Sequence, residues 1–162
     1  MFHHNTTIQL NYASIHHQYI FHQAFRLLIT NFHQHHFAVP GQKRFDQARV
    51  EAFCRERGIA LYDTACEVRR LKDNASDKFL EVVTPTDLPA LLARIPECRT
   101  LVTTGQKATD VIVETFGCPE PPVGGSVEIG TLRFWRMPST SRAYPLALER
   151  KADFYRRLWA SE

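Results

Sequence analysis

Two short apolar runs, each broken off by polar residues and each bordered by segments of helical spacing, constrain the fold most. Ile59-Ala60-Leu61-Tyr62 ends in Asp63-Thr64, and Thr100-Leu101-Val102-Thr103 runs into Thr104-Gly105-Gln106-Lys107. Such short, non-alternating runs suit strands covered on both faces, as strands of a parallel sheet are. Asp46 is placed to cap a helix in which Val50, Phe53 and Cys54 share a face before Gly58. Thr86 and Asp87 open a second helix with the stripe Leu88, Leu91, Leu92 and Ile95, ended by Pro96. Ala108, Val111, Ile112, Thr115 and Phe116 make the inner face of a third, closed by Gly117. Strand, helix, strand, helix predicts a parallel sheet with right-handed crossovers.

The other segments are read more coarsely. Tyr12, Ile15, Tyr19, Phe25, Leu28 and Phe32 recur at steps of three and four apart from one gap at His22, and 37–45, with Pro40-Gly41, reads as a loop. Residues 66–79 mix both charges with Asn74 and Ser76, which predicts a surface loop with a short helical start. Cys118 to Gly125 is a Pro- and Gly-rich loop, and Ser126–Ile129 with Leu132–Arg136 flank Gly130-Thr131 as a hairpin. Pro145 is assigned to the first turn of a last helix whose Leu148, Ala152, Tyr155 and Trp159 face the core.

A chain of 162 residues, 44% hydrophobic and 23% charged, is a globular domain rather than a disordered or fibrous chain. The net charge of +3 permits a phosphate-bearing partner without demanding one. Cys54, Cys66, Cys98 and Cys118 include no CxxC pair, which argues against a zinc ribbon or an iron–sulfur cluster. Reduced thiols and the lack of a signal-peptide pattern lead to the expectation of a cytoplasmic protein. Tyr19 to Phe32, the most apolar early segment, is too short and too polar to span a bilayer.

Composition is uneven along the chain. All 8 histidines lie between His3 and His36, the first acidic residue is Asp46, and the first Pro and Gly are Pro40 and Gly41. Residues 1–36 therefore form an atypical His-rich segment ahead of a body at 37–162. A metal reading of His33, His35 and His36 lacks a Cys or acidic partner and an i, i+4 pair, so neither metal nor cofactor is expected.

Ligands of open α/β sheets bind beyond the carboxyl ends of the strands. Three such ends are visible: Asp63-Thr64, Thr104 to Lys107, and Pro138 to Tyr144. Pro138-Ser139-Thr140-Ser141 offers a rigid turn with short hydroxyl and N–H donors suited to a phosphodiester. Arg142 adds a cation and Tyr144 a wedge or stacking ring. The plainer alternatives are a Ser/Thr-rich capping turn, a capped strand end at Asp63 and an ordinary helix start at Lys107.

The segment FWRMPSTSRAYPLALERKADFYRRL resembles the last strand, DNA-inserting loop and terminal helix of the uracil-DNA glycosylase superfamily, most of all its mismatch-specific branch. GIALYDTA at 58–65 and LVTTGQKA at 101–108 resemble the second and third strands of that family with their loops, and the resemblance covers roughly 37–160. It implies a three-layer α/β/α enzyme with a short, mainly parallel sheet. Such an enzyme flips a damaged or mispaired base out of double-stranded DNA and hydrolyses its N-glycosidic bond without a metal.

Carried over by position, Pro138, Ser139, Thr140 and Ser141 hold the DNA backbone, Arg142 fills the vacated space and Tyr144 assists. Asp63 and Thr64 line the base pocket, while Gly105, Gln106 and Lys107 offer N–H donors and a cation to a phosphate. Met137 departs from branches with a polar residue that stabilises the leaving base, and is similar to the thymine- and hypoxanthine-type branches.

The larger departure lies upstream. No Gly or Pro precedes Pro40, so the family's water-positioning loop is absent and no catalytic residue is assigned, although His22 to Leu28 resembles the helix that follows that loop. The resemblance then implies a sheet missing its first, central strand, with exposed edges, in an amino-terminally truncated or altered relative arising from a misplaced start or a frameshift. The expected protein is a monomeric, nucleoid-associated glycosylase-like protein acting on uracil, thymine or hypoxanthine, with no membrane partner. The alternative is a DNA-binding relative that keeps the phosphate grip without excision.

Overall fold

The computed structural model describes residues 6–11, 46–70, 80–140 and 144–160. In chain order its elements are β1 (Thr6–Asn11), α1 (Gln47–Glu56), β2 (Ile59–Asp63), β3 (Ala65–Arg70), β4 (Leu80–Pro85), α2 (Leu88–Ala93), β5 (Cys98–Thr104), α3 (Gln106–Phe116), β6 (Ser126–Ile129), β7 (Leu132–Met137) and α4 (Leu148–Ala160). Five strands form one sheet in the order β2-β1-β5-β7-β6, and β3 pairs with β4 in a separate ribbon. β2, β1, β5 and β7 run parallel, and β6 joins β7 as an antiparallel edge.

The expectation of a missing first strand is corrected by β1. Its backbone pairs from Thr7↔Ile59 to Asn11↔Asp63 on one side and from Thr7↔Thr100 to Leu10↔Thr103 on the other. The sequence Thr6-Thr7-Ile8-Gln9-Leu10-Asn11 alternates polar and apolar residues instead of running apolar throughout, so it lacks the usual mark of a central parallel strand. Its β-branched residues nevertheless favour extended backbone. A boundary at residue 36 does not separate Thr6–Asn11 from the sheet of the body.

Local signals explain most helix ends. The Asp46 carboxylate accepts the Arg49 N–H at 3.2 Å and that of Asp87 accepts the Ala90 N–H at 2.9 Å, each filling an orphan donor of a first turn. α3 ends at Gly117 in the left-handed conformation. Two expectations fail here. Thr115 is exposed, and α4 begins only at Leu148, after a bend in which the Leu146 N–H donates to the Tyr144 carbonyl at 2.7 Å, so Pro145 lies outside the helix.

The predicted surface loop at 66–79 is also corrected where it is described, because Ala65–Arg70 is a strand paired antiparallel with Leu80–Pro85. Charge alternating along a water-exposed ribbon resembles a loop in sequence, and cross-strand pairs supply the order. Arg69 and Glu81 approach to 3.5 Å, and the Thr84 hydroxyl donates to Glu67 Oε2 at 3.2 Å.

Successive strand residues point to opposite faces. Leu101 and Phe134, paired in register, pack with Leu88, Cys98 and Ile112 beneath α2 and α3. Their neighbours Val102 and Trp135 pack on the other face with Met137, Tyr155 and Leu158 beneath α4. The fold is thus a three-layer α/β/α arrangement, and the two-sided cover accounts for the unbroken apolar run at Thr100 to Thr103. Each fully buried side chain of this size contributes ~1.5–3 kcal/mol. The helical pattern at 12–32, the loop at 37–45 and the Trp159 side chain lie outside the described residues. Among the described residues no helix is long and apolar enough to cross a membrane.

Candidate functional site

From β1 the chain moves to β2 on one side, then returns past β1 to β5 and on to β7. The strand order therefore reverses between β1 and β5, the point at which open α/β sheets leave a crevice at their carboxyl ends. Asn11 lies opposite Asp63, Leu10 opposite Thr103 and Thr104 opposite Met137. Asp63, Asn11, Thr104 and Met137 consequently form a row of ~14 Å, three interstrand spacings, along this edge. The three strand ends singled out in the sequence all leave from this row.

The tightest contact joins two of them. Gly105 donates its N–H to the Met137 carbonyl at 3.2 Å and adopts φ +96, ψ 170. A Cβ at this position would stand 3.3 Å from Ser139 Cβ and 3.5 Å from its Oγ. The Gly105 carbonyl accepts the Thr109 N–H at 3.3 Å and the Thr109 hydroxyl at 3.0 Å. Thr103 and Thr109 hydroxyls are 2.8 Å apart in the interior. These bonds hold the start of α3, with its outward N–H groups and positive dipole end, against the end of β7.

Gln106 is committed to a polar network. Its amide donates to Asp110 Oδ1 at 2.7 Å and to Glu120 Oε1 at 3.1 Å, and its oxygen accepts from Arg136. Arg136 also pairs with Glu120 at 2.6 Å and donates to the Pro121 carbonyl at 3.1 Å. The network pins the loop after α3 to β7. Lys107, one residue on, is half-buried.

In the loop after β7, Pro138 and Thr140 are buried and Ser139 is half-buried. The Tyr155 hydroxyl donates to the Pro138 carbonyl at 3.3 Å, and burial pushes the Tyr155 pKa up, keeping the proton that makes this bond. Farther along, the Lys151 ammonium sits 5.3 Å from the centroid of the Tyr144 ring. Lys151 is only 4% exposed, and burial pulls its pKa down. Ser141 and Arg142 lie outside the described residues. Met137 is fully buried in the α4-side core, so the residue before Pro138 is a packing residue.

At the opposite end of the row, Asp63 is half-buried and its carbonyl accepts the Thr86 hydroxyl at 2.8 Å. Thr64 is fully buried and its carbonyl accepts the Thr86 N–H at 3.1 Å. These bonds close the base of the β3–β4 ribbon. Asp63 and Thr104 are two strands apart, ~10 Å, with Asn11 between them.

Geometry thus brings Gly105, Ser139 and the flanking loop into contact, and sets Asp63 and Thr64 across the crevice. Sequence reasoning missed Asn11, Arg136 and Lys151. Lys151 left a readable signal, because Leu148, Lys151, Ala152 and Tyr155 share one helical face and a lysine within an apolar stripe is out of pattern. Among the described residues no group of three or more His, Cys, Asp or Glu side chains is placed to hold a metal ion, and His33, His35 and His36 lie outside them. In comparison with known proteins, no protein-family model matches the chain and no curated protein matches it significantly.

Proposed function

We propose that this chain is a DNA-glycosylase-like protein that binds double-stranded DNA across the carboxyl edge of its sheet and excises a deaminated or mispaired base. The carrying observation is the apposition of Gly105 and Ser139, which joins two strand-end loops beside the reversal in strand order. On this reading backbone N–H groups at the start of α3 and the half-buried Ser139 suit a phosphate, with Lys107 adding a cation, while Ser141 and Arg142, which the resemblance assigns to the same grip, lie outside the described residues. On this reading Asp63, across the crevice, reads the hydrogen-bonding edge of an extruded base. Uracil or thymine opposite guanine, or hypoxanthine, is extruded at lower cost than a well-paired base. On this reading the protein acts at the nucleoid.

A second reading is favoured by one observation. No Gly or Pro lies between Asn11, where β1 ends, and Pro40, so the chain after the central strand does not match the water-positioning loop of the family it resembles. In that reading the protein grips DNA without cutting it.

Incubation with duplexes carrying a single uracil, thymine or hypoxanthine, followed by alkali, separates the two. Strand scission at the marked base is expected for at least one substrate. Salt-sensitive binding with every strand intact supports the second reading. Absence of both binding and scission overturns both.

A further inference from the structure

α1 and α2 each begin on an aspartate whose side chain accepts a first-turn N–H, whereas α3 begins on Gly105, which has no side chain to do so. Glycine is also the residue least able to fix its own direction, because it adopts backbone angles closed to others. The heading of the first turn of α3 is therefore set by contacts made outside it. On the interior side the Thr109 N–H and hydroxyl hold the Gly105 carbonyl, at 3.3 and 3.0 Å. On the water side the tie is a closed triangle of side chains from three places in the fold.

Arg136 of β7 donates from one guanidinium nitrogen to Gln106, the first residue of α3, and from the other to the Glu120 carboxylate at 2.6 Å and the Pro121 carbonyl at 3.1 Å. The Gln106 amide closes the triangle by donating to Glu120 Oε1 at 3.1 Å, and it also reaches Asp110 one turn along the helix at 2.7 Å. Main-chain bonds continue the tie, from the Gly124 N–H to the Arg136 carbonyl at 2.7 Å and from the Arg136 N–H to the Gly125 carbonyl at 3.1 Å. An isolated ion pair at a surface holds geometry weakly, but a planar fork that reaches two segments at once fixes both distance and direction. A lysine would offer a point charge in place of the fork and could not span Gln106 and Glu120 with Pro121 together.

We propose that Arg136 and Glu120 are positioning residues: the triangle they make with Gln106 orients the first turn of α3 against Ser139 and so sets the seat for a DNA phosphate. The proposal rests on the reading of the carboxyl edge as a DNA-binding surface. Arg136 acts through α3 and not by touching DNA, since its guanidinium is turned onto Gln106, Glu120 and Pro121 and its side chain is 17% exposed.

The full chain is compared with Arg136→Met, Arg136→Lys and Glu120→Ala by hydrogen–deuterium exchange and by duplex binding across a salt series. Arg136→Met is expected to speed exchange about tenfold in peptides covering 109–112 and 124–125 while β5 stays protected. Its affinity for duplex DNA is expected to fall about tenfold, with the slope of log Kd against log salt unchanged. Arg136→Lys, which keeps the charge, is expected to lose nearly as much as Arg136→Met. Glu120→Ala removes an anion, which by charge alone would tighten binding, and is expected to weaken it.

Wild-type affinity in Arg136→Lys, a smaller salt slope in Arg136→Met or tighter binding in Glu120→Ala overturns the proposal, since each means that the guanidinium meets a phosphate directly. Unchanged exchange at both segments in Arg136→Met overturns it as well. Should Arg136→Met fail to fold, Glu120→Ala alters a side chain that is 45% exposed and leaves β7 untouched, and its exchange and affinity then decide. If wild type binds no DNA, the reading of the edge fails and the phosphate seat falls with it, while faster exchange in Arg136→Met still shows that the triangle orders the start of α3.

Discussion

Gly105 joins local conformation to the site. At φ +96 and ψ 170 it occupies a region open essentially to glycine, and a Cβ there would crowd Ser139. Gly105→Ala is expected to cost about 2 kcal/mol in urea denaturation. Gly117, also left-handed but with open space around its would-be Cβ, is expected to lose only about 1 kcal/mol on the same change. Equal losses would show that contact with Ser139 contributes nothing. Cys54 gives a pH prediction. Burial, with the nearby Glu51 charge, raises its pKa from 9.0 to about 11, so the unfolded chain releases this proton first. The contribution is therefore fully present below pH 9.0 and lost as pH rises through about 11. Denaturation titrations on either side of that window should show an alkaline loss of up to ~2 kcal/mol that Cys54→Ala lacks.

Elements differ in how much of themselves they carry in local sequence. α1 and α2 were legible because an aspartate before an apolar stripe answers the first-turn N–H groups directly, as the two bonds to Arg49 and Ala90 show. Asp87→Ala is accordingly expected to lower stability by ~1 kcal/mol, read as a shifted denaturation midpoint with an unchanged slope. The β3–β4 ribbon was illegible for the opposite reason. Its strands are charged and exposed, and Ala65–Arg70 is ordered by Leu80–Pro85, a partner that no window around either strand reveals. Pro145 misled because its fixed φ suits a helix start, whereas the bend from Tyr144 to Leu146 uses the same φ to turn the chain before the helix begins.

At the scale of the molecule, β1 turns a set of strands into one sheet. Without Thr6–Asn11, β2 and β5 would face each other across an unfilled slot with unpaired N–H and carbonyl groups. Ile8→Pro removes a donor from a strand paired on both sides, and is expected to cost more than ~3 kcal/mol and abolish a cooperative thermal transition in far-UV circular dichroism. A retained transition would mean that the slot is closed by something else. The sequence by itself determined the buried strands, the capped helices and the alternation that makes a parallel sheet, since apolar runs, aspartate caps and terminal glycines act within a few residues. It also marked the polar strand ends from which a site is built. Only the tertiary structure decided that Thr6–Asn11 is central, that Gly105 meets Ser139, and that Arg136 ties Gln106 to Glu120. Those pairings join residues distant in the chain, and their free energy comes from backbone hydrogen bonds and packing that exist only once the layers have closed.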